Sequence, residues 1–223
     1  MFSDWQSAVS GEHRTILQGE VGDIEAIIHL PDDYDESRVK AIAVCCHPHP
    51  LYEGAMSNKV VHTLAKAFAK MGLVSVRFNF RGVGQSEGEH DEGIGETDDL
   101  VKVCLQLSSY FEGASIWLAG FSFGSFIAAN AAERINASQL ISIAPPVDRY
   151  DFDGLVTNNS PWLVVMGEED EIVPPAGVFE WIDRHPGRCQ LIRFPETGHF
   201  FHGKLVKLSD QLITHFEPIV EAL

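Results

Sequence analysis

An α/β fold, with a mostly parallel twisted sheet and helices on both faces, is what this sequence predicts, and three observations predict it. Strand-like runs such as AIAVCC and LVVM are apolar at every position, the mark of strands buried on both faces. Runs with helical periodicity stand between them, which lets successive strands lie parallel. No internal repeat, low-complexity segment or linker-like shift of composition interrupts the alternation, so residues 1–223 read as one domain.

Each element has its own warrant. HRTILQGEVGDIEAIIHLP reads as an antiparallel pair hinged near Gly22 and Asp23. AIAVCC is a strand that runs into a loop, and SNKVVHTLAKAFAKMG a helix ended by Gly72. LVSVRFNF is a strand, and ETDDLVKVCLQLSSY a helix whose acidic first turn suits the helix dipole. SIWLAGF is a strand that turns almost without a loop into an alanine-rich helix. QLISIAPP and PWLVVMGEED are strands, AGVFEWIDRH a helix and RCQLIRFP a strand. LVKLSDQLITHFEPIV forms the last helix.

Composition narrows the function. Hydrophobic residues make up 45% and charged residues 22%, which is ordinary for a globular protein and unlike a disordered one. The formal net charge of -16 argues against nucleic acid and against anionic membrane surfaces, both of which call for clustered Lys and Arg. The apolar runs are too short to span a bilayer, and MFSDWQSAVSGEHR lacks the basic-then-apolar pattern of a secretory signal. Cys45 and Cys46 are adjacent in a strand and point to opposite faces, so they do not bridge one another. With Cys104 and Cys189 they read as buried thiols in a reducing compartment, the cytoplasm.

In a sheet of this kind ligands bind at the carboxyl ends of the strands. AIAVCC is followed there by HPHPLYEG, LVSVRFNF by RGVGQSEG, LVVM by GEEDEIVP and LIRFP by ETGHFFHG. SIWLAG is followed by Phe121 and Ser122, inside GFSFG. Gly120 and Gly124 let strand and helix approach closely, and the sharp turn exposes the Ser122 hydroxyl at a helix N-terminus. A serine, an acid and a histidine thus occupy three strand ends, and those are the parts of an activated nucleophile.

Taken together, HPHPLYEGAMSNKVV, RFNFRGVGQSEGE, GFSFG, SIAPP, GEEDEIVPP and GHFFHGK resemble the α/β-hydrolase superfamily. The resemblance is to small bacterial serine hydrolases without a lid, similar to dienelactone hydrolases. It implies an α/β-hydrolase fold and a carboxylesterase-like activity without cofactor or metal. By the same resemblance Ser122 is the nucleophile, Asp170 the triad acid and His199 the general base. The acid is picked from among Glu168, Glu169, Asp170 and Glu171 by the pattern Gly167, Asp170, Val173, Pro174. Glu53 departs from the family, which tends to carry a second glycine there.

The Phe123 N–H, next after the nucleophile, is one expected oxyanion donor. Pro48 and Pro50 have no N–H, which leaves His49, Leu51 and Tyr52 for the other, with Leu51 favoured. His47 and His49 are a weak metal-ligand set and read better as a rigid loop under the site. RGVGQSEGE lacks the spacing of a nucleotide-binding loop and reads as a turn, with Arg81 pairing to the acids that follow.

Only VDRYDFDGLVTNNS separates QLISIAPP from PWLVVM, too little and too polar for a cap domain. The expected site is therefore a shallow open cleft walled by Leu51, Tyr52, Phe121, Phe123 and Phe200, with Tyr52, Phe121 and Phe200 touching substrate. The expected partner is a small-molecule ester with a short acyl group, and a homodimer is the one protein assembly left open. The competing reading is a non-catalytic or acyl-transferring protein that keeps the fold.

Overall fold

The structure, a computed structural model, describes residues 10–155, 157 and 160–223. The amino-terminal stretch read for a secretory signal falls largely outside the described residues, as do three residues of the 147–160 connection. The chain begins with the expected hairpin, β1 (Gly11–Gln18) and β2 (Asp23–Leu30), closed by a bond from the Gly19 N–H to the Gly22 carbonyl at 2.8 Å. Then come β3 (Ala41–Cys46), α1 (Lys59–Lys70), β4 (Val74–Phe78), α2 (Ile94–Tyr110), β5 (Ser115–Phe121) and α3 (Phe123–Ala131). The rest is β6 (Gln139–Ile143), β7 (Trp162–Gly167), α4 (Pro175–Arg184), β8 (Gln190–Phe194) and α5 (Leu205–Glu221).

The strands form one sheet in the order β1-β2-β4-β3-β5-β6-β7-β8. All pairings from β4 to β8 are parallel, and β2 is antiparallel to both its neighbours. β3 through β7 are buried at every position but Ser115, as strands covered on both faces are, and they carry Ser75, Arg77, Gln139 and Ser142 among their apolar residues. α1 packs against α5 and α2 against α3. Phe68 of α1, Trp117 of β5 and Phe216 of α5 meet ring to ring on one side of the sheet.

Local chemistry sets the helix ends. The Asn58 side chain accepts from the Val60 N–H at 2.9 Å and starts α1, and Gly72 at φ 87° follows its last turn. α2 begins two residues before the acidic run expected to open it. Gly93 stands at its N-cap, and the Glu96 carboxylate reaches back to the Gly93 N–H at 2.8 Å.

The order of strands places the site. From β3 the chain moves one way to β4, then crosses back to β5 on the other side of β3. The carboxyl ends of β3 and β5 therefore flank the point where the winding reverses, where an α/β sheet leaves a crevice.

Candidate active site

Ser122 stands in that crevice, between the end of β5 and the start of α3. Its backbone has φ 53° and ψ −122°, outside the regions where L-residues rest, at a cost on the order of 1–3 kcal/mol. The turn is held on both sides: the Ser122 N–H donates to the Ile143 carbonyl at 2.8 Å, and the Ser122 carbonyl accepts from the Ser125 N–H at 2.8 Å. Packing explains the two glycines. A Cβ on Gly120 would run into the Gly124 backbone, and one on Gly124 into the carbonyls of Cys46 and His47. The Ser122 side chain makes no capping bond to α3, so its hydroxyl has no structural duty there.

Asp170 and His199 come from the loops after β7 and β8 and meet in a buried contact, with His199 Nδ1 2.7 Å from Asp170 Oδ2. The other oxygen, Oδ1, accepts from the N–H groups of Ile172 at 2.9 Å and Val173 at 2.7 Å. With one oxygen held by backbone, the second can only face the imidazole. A carboxylate at Nδ1 holds the proton on that nitrogen and leaves Nε2 with its lone pair. Glu171, one of the acids set aside, accepts the His199 backbone N–H at 3.1 Å, and Glu168 pairs with Arg193 at 2.7 Å.

A cleft of about 650 Å³ opens over these groups, and Ser122, Phe123 and His199 line it. So do His49, Tyr52, Glu53 and Gly54 from the loop after β3, Asn58 at the head of α1, Phe200, Ile172, and Pro146, Arg149 and Tyr150 from the connection after β6. Pro146, Arg149, Tyr150, Asn58 and Ile172 were not read from the sequence as site residues. Arg149 and Tyr150 sit in a polar connection with no motif, and Asn58 could have been found only as the helix cap next to the HPHP loop.

Leu51 and Phe121 need correction. The Leu51 N–H donates to His49 Nδ1 at 3.2 Å, and its side chain stands 70% exposed away from the cleft. The Tyr52 and Gly54 N–H groups both donate to the His49 carbonyl at 3.1 Å. Of the three candidates, only the His49 N–H has no hydrogen-bond partner among the described residues. Phe121 is fully buried below the cleft, with its ring 4.8 Å from that of His199, so it supports the histidine and does not reach substrate. Tyr52 and Phe200 do line the cleft, at 78% and 37% exposure. Glu53, at the family's glycine position, has φ 61°, a conformation that glycine adopts at little cost.

Arg81 was expected to pair with the acids that follow it. Its main partner is Asp99 of α2 instead, at 2.7 Å, with Asp91 at 3.9 Å. His202 lies exposed in the turn before α5 and stacks on Phe200, outside the cleft lining. The cysteines are unpaired, with Cys189 only half buried. Burial pushes the Cys45 thiol up to about 12 and the Cys189 thiol to about 11, so neither supplies a thiolate at neutral pH.

His47 anchors the loop after β3. Its Nδ1–H donates to the Pro48 carbonyl at 2.6 Å, and its Nε2 accepts from the Phe80 N–H at 2.9 Å. Both ring nitrogens are engaged, which leaves neither for a metal. Among the described residues no group of three or more His, Cys, Asp or Glu side chains is arranged to hold one. Burial pulls the His47 imidazole down to about 3, against the opposing effect of its hydrogen bond to the Pro48 carbonyl. The unfolded chain therefore takes up this proton first as pH falls. His47 stabilises the fold fully above about pH 6.5 and loses that contribution progressively toward pH 3. Urea unfolding between pH 7 and pH 4 should show wild type losing stability more steeply than His47→Gln, by nearly one proton per molecule. Parallel slopes would mean the histidine is not held neutral.

Relatives share this architecture. A family model described as serine aminopeptidase, S33, matches residues 40–152, a span that holds Ser122 and the loop after β3 but ends before Asp170 and His199. The solved structure of an alpha-beta serine hydrolase homologue from Coxiella burnetii is 42% identical with a TM-score of 0.87, covering 93% of this chain and 99% of that one. An α/β serine hydrolase without lid from Xanthomonas campestris is 39% identical with a TM-score of 0.87, covering 93% and 94%. An uncharacterised protein of Rickettsia prowazekii is 36% identical over 187 residues, 78% of this chain and 79% of its own length.

Proposed function

The chain belongs to the α/β-hydrolase superfamily, and on that footing we propose that it is a serine hydrolase of small esters with short acyl groups, carboxylic or thio. The observation that carries the reading is the Asp170–His199 pair at 2.7 Å, in one cleft with a serine held at φ 53° on a helix N-terminus. His199 Nε2 takes the proton of the Ser122 hydroxyl as the oxygen attacks the carbonyl carbon. The N–H groups of Phe123 and His49 receive the negative charge that develops on the carbonyl oxygen. Nε2 then returns its proton to the leaving alcohol, and water removes the acyl group by the same steps in reverse. No cofactor enters this reaction.

One feature favours esters over amino-terminal peptides, which the family's description suggests. Arg149 stands in the cleft with Glu53, so a free substrate ammonium would meet a cation as well as an acid. The four unpaired cysteines and the acidic surface support a cytoplasmic enzyme acting on small molecules. No helix among the described residues is long and apolar enough to cross a membrane.

A panel of ethyl esters from acetyl to palmitoyl, with the alanyl p-nitroanilide beside them, tests the reading. An open cleft buries little of each added methylene, so the ~0.8 kcal/mol available per buried CH₂ goes mostly unrealised. kcat/KM should be greatest for short acyl groups and level off or fall with length. A steady rise to palmitoyl would mean an enclosed tunnel, and faster cleavage of the anilide would make the protein a peptidase.

A further inference from the structure

The cleft is walled by rings more than by alkyl groups, and from this we infer that its preferred esters carry a planar aromatic group beside the scissile bond. This rests on the serine-hydrolase reading of the same cleft. Tyr52, His49, Phe123 and Tyr150 touch in series, with centroid distances of 5.0, 4.7 and 5.5 Å, the buried Phe123 ring backing the other three. Ile172 and two prolines are the only aliphatic side chains in the lining.

An alkyl chain gains in proportion to the area it buries, and an open cleft buries little. A planar ring gains in addition from edge and face contacts with other rings, which need no enclosure. The wall is also set in advance. Phe126 stacks on Tyr150 at 4.6 Å with 22° between planes, and Phe152 supports Phe126 at 5.7 Å. Tyr150 therefore lines the cleft as a ring already held in place, which lowers the cost of binding. Tyr52 and Phe200 complete the rim as exposed rings, Phe200 with His202 stacked on it.

The test pairs each aromatic ester with its saturated counterpart of similar size. Methyl phenylacetate is compared with methyl cyclohexylacetate, and benzyl acetate with cyclohexylmethyl acetate, each kcat/KM divided by that ester's rate with hydroxide. The aromatic member should be favoured about two- to tenfold in at least one pair, the span of a single aromatic contact. The favoured pair shows which side of the scissile bond meets the rings. Tyr150→Leu, and separately the well-exposed Tyr52→Leu, should bring that ratio toward one. Ratios at or below one in both pairs, or a ratio unmoved in both variants, would overturn the inference. Binding of phenylacetate and cyclohexylacetate to Ser122→Ala, followed by NMR, needs no turnover. Tighter phenylacetate binding without cleavage of any ester would sustain the aromatic cleft and remove the esterase reading. Turnover without an aromatic preference would do the reverse.

Discussion

Ser122→Ala is expected to abolish ester hydrolysis and labelling by a fluorophosphonate while leaving the fold intact. The hydroxyl makes no cap bond, and the turn around it is held by backbone bonds to Ile143 and Ser125, which alanine keeps. In serine hydrolases with such a triad, loss of the nucleophile costs on the order of 10⁶ in kcat, and losing the base as well adds almost nothing. Ser122→Ala combined with His199→Ala should therefore be about as inactive as the single variant. The strain gives a second readout. Ser122→Gly should be equally inactive yet more stable in urea by about 1 kcal/mol, because glycine relaxes at φ 53° where serine does not. Wild-type turnover in Ser122→Ala would remove the serine from the chemistry.

The second large effect is expected at Asp170. In Asp170→Asn the amide oxygen is already claimed by the Ile172 and Val173 N–H groups, so its NH₂ must face His199. That NH₂ donates, and the imidazole can meet it only by putting its lone pair on Nδ1 and its proton on Nε2. The nitrogen that should accept the serine proton is then blocked. The corresponding change in a known triad lowers kcat by about 10⁴ with the geometry intact. Glu168→Gln should do far less, since Glu168 pairs with Arg193 at the half-exposed surface. Glu171→Gln should fall between them, because Glu171 fixes the His199 backbone and not its ring. A greater loss at either glutamate than at Asp170 would reassign the acid.

What the sequence made legible is what local sterics and periodicity determine. Gly120 and Gly124 betray the turn because only glycine fits against the backbones of Gly124 and of Cys46 and His47. β3 and β7 announce themselves because a strand buried on both faces is apolar at nearly every position, whereas β4 and β6 carry buried polar residues such as Arg77 and Ser142. The start of α2 was misjudged because its cap is a backbone contact to Glu96 from inside the helix, not a capping residue in front of it. Leu51 was favoured as a donor because sequence excludes prolines but does not show that the His49 ring folds back onto the Leu51 N–H. Phe121 was placed in the cleft because it neighbours Ser122 in sequence. As the last residue of β5, its side chain turns beneath His199 instead. Asp99 as the partner of Arg81, and Arg149 and Tyr150 as cleft residues, depend on how distant loops converge, which spacing along the chain does not encode.

Covalent trapping asks whether Ser122 is the nucleophile of this cleft. Wild-type protein is treated with a small fluorophosphonate, digested, and its peptides mapped by mass spectrometry. A single phosphonyl adduct is expected on Ser122, absent from Ser122→Ala and formed far more slowly in His199→Ala. An adduct on another residue, or none at concentrations that label other serine hydrolases, would contradict that assignment.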